Sequence, residues 1–167
     1  RPDGAAELHG FETLLLATGS VPAMPAAFSA GHPHLWDSTA ALDLSEIPAT
    51  LLVVGGGYIG LELGSVYAAL GSRVTVVEMT GGLLPGADRD LIVPLAKRLR
   101  GLFQDVQLNT RVAGVADDPA GLRVTLENAK TGETRAETFA KVLVAVGRRP
   151  TATRSEEHTS ELQSPVV

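Results

Sequence analysis

Three consecutive glycines, Gly55, Gly56 and Gly57, stand between the aliphatic run Leu51 to Val54 and a proline-free run of helical spacing from Tyr58 to Leu70. Glycine weakens the interior of a strand or a helix, so its place here is the junction itself. Gly55, Gly57 and Gly60 complete a G-x-G-x-x-G pattern. Alone this is a weak signal, since any tight strand-to-helix turn can use such glycines. The surroundings make it specific. The glycines directly follow a strand, open a helix, and are followed by the β-branched run Arg73 to Val77 with an acidic residue, Glu78, at its end. A carboxylate roughly 20 residues beyond the turn is the arrangement that binds a dinucleotide. Gly55 then permits the turn, Gly57 lets backbone approach a pyrophosphate, and Gly60 lets the helix pack close to the sheet. Free N–H groups and the positive end of the helix dipole attract the phosphates. Glu78 would accept hydrogen bonds from a ribose.

The rest of the chain is read around this unit. Phe11 to Ala17 is a short apolar run stopped by Thr18-Gly19-Ser20, which predicts a buried strand and a turn. Val21 to Pro48 carries four prolines and reads as a linker, with Asp37 or Ser38 able to cap a short helical piece through Leu42. Gly71 is placed to stop the helix after the glycine turn. Asp88 to Leu102 predicts a second helix, capped by Asp88 and open to a kink at Pro94. Asp105 to Leu108 is a short strand. Arg111 to Ala116, Leu122 to Leu126 and Glu133 to Phe139, separated by turn residues, predict an antiparallel meander. Lys141 to Val146 closes the pattern as an aliphatic strand ending at Gly147. The β-α-β-α-β order predicts an α/β fold: a Rossmann-like, doubly wound parallel sheet with an antiparallel β-meander, its helices on two faces.

Composition narrows the function. A net charge of −5 argues against a nucleic-acid or anionic-membrane surface. No apolar run approaches the roughly 20 residues of a membrane span. The 167 residues contain no cysteine, so thiolate chemistry, disulfides and cysteine metal sites are closed to these residues. His32 and His34 flank Pro33 in a spacing that reads as solvated rather than metal-binding, and no metal site is expected. Lysine is scarce beside arginine, an association that points to a bacterial, cytoplasmic source.

The string GGGYIGLELGSVYAALGSRVTVVEM, from Gly55 to Met79, resembles the nicotinamide-binding segment of the flavin-dependent pyridine nucleotide–disulfide oxidoreductases. LLLATGSVPAMP (Leu14 to Pro25) is similar to that family's strand and turn beside FAD, and VLVAVGRRP (Val142 to Pro150) to its strand leading back to the flavin domain. LWDSTAALDL (Leu35 to Leu44) is most similar to the branch that oxidises dihydrolipoyl groups of 2-oxo acid dehydrogenase complexes. The resemblance implies a dihydrolipoyl dithiol reducing a cysteine pair, with electrons passing through FAD to NAD. It implies lipoyl domains as partners and a homodimer when intact. It also implies a division into residues 1–45 (end of a partial FAD-domain segment, and linker) and 46–150 (NAD-binding domain).

Carried over position by position, the resemblance puts Gly55, Gly56, Gly57, Tyr58, Ile59, Gly60, Leu61 and Glu62 against NAD, with Glu78 on its ribose. It puts Val112 and Gly147 at the adenine and nicotinamide sides. Thr18, Gly19 and Ser20 would touch FAD. Tyr58 matches a position that gates the nicotinamide pocket in some relatives, and packing of an aromatic on the helix start explains it as well. Glu62 matches a glutamate near flavin and nicotinamide; the other reading is a solvated helix carboxylate. Arg148 is a surface charge or a domain-interface residue. The family's redox cysteines, FAD fingerprint and His–Glu pair have no counterpart, so no catalytic residue is expected in this chain, which reads as a fragment. An NADPH-linked reductase of the glutathione or mercuric type, or a non-catalytic dinucleotide-sensing module, are the alternative readings. Residues 151–167 form a separate tail, within which Arg154 to Ser164 (RSEEHTSELQS) is similar to the in-frame translation of a sequencing adapter; a natural polar linker is the alternative.

Overall fold

The computed structural model describes residues 10–13, 15, 17–28 and 32–151. The tail beyond Thr151 lies outside them. The chain divides into two compact units, one of residues 1–21 and 150–167, the other Pro22–Arg149. The division falls within two short strands, β1 (Ser20–Pro22) and β10 (Arg148–Pro150).

In the larger unit, β2 (Leu35–Trp36) leads into α1 (Ser38–Leu42), β3 (Thr50–Val54) into α2 (Tyr58–Ala69), and β4 (Arg73–Glu78) into α3 (Arg89–Leu102). β5 (Asp105–Leu108) precedes the meander of β6 (Thr110–Asp118), β7 (Gly121–Asn128) and β8 (Thr134–Phe139), and β9 (Lys141–Val144) follows it. Five strands form one parallel sheet in the order β2-β9-β3-β4-β5. The meander is a separate antiparallel sheet.

Strands buried on both faces need apolar residues at every position, and β3 and β4 supply them. Alternation then assigns each residue to a face. Leu51, Val53, Val74, Val76 and Leu143 pack with Ala41, Leu61, Tyr67, Ile92 and Leu99 of the helices. Leu52, Val54, Val77, Val142 and Val144 pack with Leu122, Val124, Leu126 and Phe139 of the meander. All three described helices therefore cover one face, and the meander takes the place of helices on the other. The expected α/β architecture is present with that correction. The cause is strand order: β3, β4 and β5 follow one another in one direction, so right-handed crossovers put α2 and α3 on the same side.

Two further expectations change. Among the described residues of the Phe11 to Ala17 run there is no strand, and Phe11 and Leu15 are 63% and 88% exposed. An apolar run becomes a buried strand only where a neighbouring ladder accepts it, and none of the described residues supplies one; Leu14 and Leu16 lie outside the described residues. The presumed linker contributes the sheet's edge, since Leu35 and Trp36 pair with Val142 and Leu143. Asp37 caps α1, accepting the N–H groups of Thr39 and Ala40 at 2.9 and 2.8 Å. Asp88 occupies the N-cap position of α3 without a side-chain cap bond, and Pro94 is accommodated inside that helix.

Tyr67 anchors α2 to α1. Its hydroxyl donates to Ala41 O at 2.7 Å, and its ring lies 5.6 Å from that of Trp36. Burial pushes its phenol pKa up, with Glu46 and Asp43 adding to the shift. Lys141, itself buried, pairs with Glu46 at 2.6 Å and lies 5.2 Å above the Trp36 ring.

Candidate functional site

β9, β3 and β4 end together, with Val54 level with Val144 and Val77. The ladder runs one step further, as Gly55 N–H donates to Val77 O at 2.9 Å and Ala145 N–H to Val54 O at 2.8 Å. The chain then turns sharply. Gly55 has φ +112°, and a Cβ there would stand 2.4 Å from Ala145 O. Both facts exclude a side chain at this position. Gly56 is buried in the turn, where a Cβ would meet Leu83 Cδ2 at 2.7 Å. Its N–H donates to Glu78 Oε2 at 2.7 Å, and its carbonyl accepts from Leu84 N–H at 2.9 Å.

Gly57 differs from both. It is the N-cap of α2, offers no side-chain cap, and a Cβ there would meet nothing within 4 Å. The first N–H groups of a helix have no partner inside it. The helix start thus faces open space with donors and no side chain in the way, which suits an anionic group. Gly60, one turn on, faces the sheet: its Cβ would stand 2.3 Å from Gly55 O and 3.0 Å from Val53 Cγ1.

The open space is a cleft of about 520 Å3, a size suited to a small-molecule ligand. Gly55, Gly57, Tyr58, Ile59, Glu78, Val112 and Gly147 all line it. Glu78 is 9% exposed, and its second oxygen accepts Thr80 N–H at 2.8 Å. Tyr58 is 65% exposed at the helix start.

The remaining nominated residues stand elsewhere. Gly56, Gly60 and Leu61 are buried beneath the cleft, and Glu62 is exposed on α2 without lining it. Thr18, Gly19 and Ser20 belong to the smaller unit, with Ser20 opening β1. Thr151 fastens that turn, donating its N–H to Gly19 O at 3.0 Å and its hydroxyl to Thr18 O.

Phe28, Met79, Pro85 and Arg111 line the cleft without having been nominated. Phe28 is carried in by a turn in which its N–H donates to Pro25 O at 3.0 Å. An aromatic between Pro25 and Pro33 was the available signal. The loop histidines are bonded: His32 Nε2 lies 2.8 Å from Asp117 Oδ1, and His34 Nδ1 lies 2.9 Å from Ala140 O. Among the described residues no helix is long and apolar enough to cross a membrane.

A parallel sheet, a glycine turn at its carboxyl edge and an acidic residue closing the next strand define a protein of the dinucleotide-fold α/β class. Within that class, residues 2–164 match the family model "Pyridine nucleotide-disulphide oxidoreductase", and the chain belongs to this family. The match includes most of the tail set apart in the sequence. The chain is 40% identical over 148 residues to dihydrolipoyl dehydrogenase of Vibrio parahaemolyticus, covering 89% of this chain and 31% of that protein. It is 43% identical over 145 residues to dihydrolipoyl dehydrogenase of Thermus scotoductus, covering 86% and 31%. Among solved structures it is similar to a Cu(II) complex of the HOCl-induced flavoprotein disulfide reductase RclA from Escherichia coli, with TM-score 0.74, 34% identity, and coverage of 92% of this chain and 33% of that one. The chain thus spans about a third of the length of the relatives it matches.

Proposed function

We propose that this chain is the NAD-binding portion of a flavin-dependent dihydrolipoyl dehydrogenase. The observation that carries the reading is the conjunction at one cleft of an unobstructed Gly57 helix start and the Glu78 carboxylate. Here Gly57 and the first α2 amides bind the pyrophosphate, Glu78 orients the ribose, and Val112 flanks the adenine. Tyr58 and Gly147 stand at the nicotinamide side. Leu61 and Gly60 act from beneath, holding α2 against β3, and Gly56 is held by Glu78. When bound, NAD would supply a hydride acceptor and FAD, which Thr18, Gly19 and Ser20 would hold, a two-electron carrier. Orientation of the dinucleotide and exclusion of water are this chain's share.

The names of the curated relatives support a dihydrolipoyl substrate and, with it, lipoyl domains of 2-oxo acid dehydrogenase complexes as partners. A homodimeric, cytoplasmic enzyme goes with that reading. The likeness to a flavoprotein disulfide reductase favours a second reading, a disulfide other than lipoamide. The domain division at residue 45 and the adapter origin of the tail belong to the same proposal. The coding sequence upstream of Arg1 tests it. A C-x-x-x-x-C pair is expected there, and a continuous flavoprotein reading frame without one would contradict dithiol chemistry.

A further inference from the structure

The cleft holds two arginines, Arg111 and Arg148. They belong to different ends of it. Arg148 follows Gly147 beyond β9, on one side of β3, while Glu78 ends β4 on the other side. Two inter-strand steps of about 4.8 Å separate those strands. Arg148 Nη1 lies 3.3 Å from Ser38 Oγ, toward α1. Arg111 stands on the Glu78 side, just after β5, and its neighbours Thr110 and Val112 line the same cleft.

Arg111 is therefore the cation to consider at the ribose end, and its charge is already engaged. It faces Glu127 across the β6–β7 ladder. Arg111 Nη2 donates to both carboxylate oxygens of Glu127, at 2.8 and 2.9 Å. The Glu127 side chain is 23% exposed and that of Arg111 56%, so the carboxylate is the more sheltered partner. Two other bases do not line the cleft. Arg73 begins β4, at the end opposite Glu78, and Arg89 begins α3 with its guanidinium against Gly82 and its Nη2 3.4 Å from Leu84 O.

We propose that Glu127 is a specificity-determining residue that selects against a 2′-phosphorylated dinucleotide by occupying Arg111. An arginine fork binds a phosphate with paired, charge-assisted hydrogen bonds. While Glu127 holds Nη2 of Arg111, the ribose end presents the Glu78 carboxylate and a guanidinium whose charge is already paired. Removing the Glu127 charge frees Arg111 for a 2′-phosphate. The inference rests on the dinucleotide reading of the cleft, which it deepens.

The test is titration calorimetry of the 167-residue chain with NAD and with NADP. Wild type is compared with Glu127→Gln, Arg111→Gln and the double variant. Glu127→Gln is expected to tighten NADP about tenfold, equivalent to about 1.4 kcal/mol, and to leave NAD within about twofold. The double variant is expected to return NADP to its wild-type affinity. NAD binding with NADP unmoved by Glu127→Gln overturns the proposal alone. So does a gain that survives in the double variant. Wild type binding neither dinucleotide overturns the reading of the cleft and the proposal with it.

Discussion

The Glu78 carboxylate accepts the backbone N–H of Gly56 at 2.7 Å, which ties the end of β4 to the turn that follows β3. The same side chain proposed to read a ribose therefore also shapes the loop beside it. With a second bond to Thr80 N–H and little exposure, Glu78 leaves buried donors behind when removed. Glu78→Ala is expected to lower unfolding free energy by about 1.5–3 kcal/mol, as for loss of hydrogen bonds to a charged group. Denaturant unfolding measures this, and an unchanged midpoint would contradict it.

The binding consequence is separate. Wild type should prefer NAD to NADP by at least about tenfold, since a carboxylate about 4 Å from a 2′-phosphate costs on the order of a few kcal/mol in a partly desolvated site. Glu78→Ala should narrow that gap, mainly by weakening NAD. Equal wild-type affinities, or a gap untouched by the substitution, would mean that Glu78 does not read the ribose.

Gly60 has no room for a methyl group, since its Cβ would stand 2.3 Å from Gly55 O. Gly60→Ala should force α2 away from β3 and cost about 1–3 kcal/mol, the usual range for overpacking. Thermal unfolding of the variant checks this. Full wild-type stability would show that the close approach is not needed.

Tyr67 gives a pH signature. Its pKa is raised by burial, so the folded state holds the phenol proton more tightly than the unfolded chain. That contribution is complete below the ordinary tyrosine value of about 10 and is lost as pH rises through the higher folded value. Tyr67→Phe should remove this alkaline loss. It should also destabilise the chain at neutral pH by about 1–3 kcal/mol, because Ala41 O is left without its buried donor. Stability curves of both proteins between pH 7 and 11 that run parallel would refute the assignment.

Without cysteine, these 167 residues cannot carry a dithiol through oxidation. The purified chain with FAD, NAD and dihydrolipoamide should show no sustained NADH production. Steady turnover would contradict the fragment reading.

The parallel sheet was legible because β3, β4 and β9 are buried on both faces and read as uninterrupted aliphatic runs. The glycine turn was legible because a sharp turn at Gly55 and close helix packing at Gly60 need absent side chains at fixed spacing. Less readable were features that depend on distant partners. Leu35 and Trp36 form an edge strand only because β9 lies beside them, and Phe11 to Ala17 lacks any such neighbour among the described residues. The single helical face follows from strand order, which local periodicity does not encode. The role of Arg111 was not legible in the sequence because its pairing with Glu127 spans sixteen positions and is set by the meander's register.

In the proposed function, Gly57 keeps the helix start open for a pyrophosphate. Since a Cβ there meets nothing within 4 Å, Gly57→Val should fold almost as well as wild type while blocking the ligand. Calorimetric titration with NAD, paired with thermal unfolding of each protein, measures both. NAD affinity is expected to fall at least about tenfold, a loss of about 1.4 kcal/mol or more, with little change in unfolding. Undiminished NAD affinity in a folded Gly57→Val variant would contradict it.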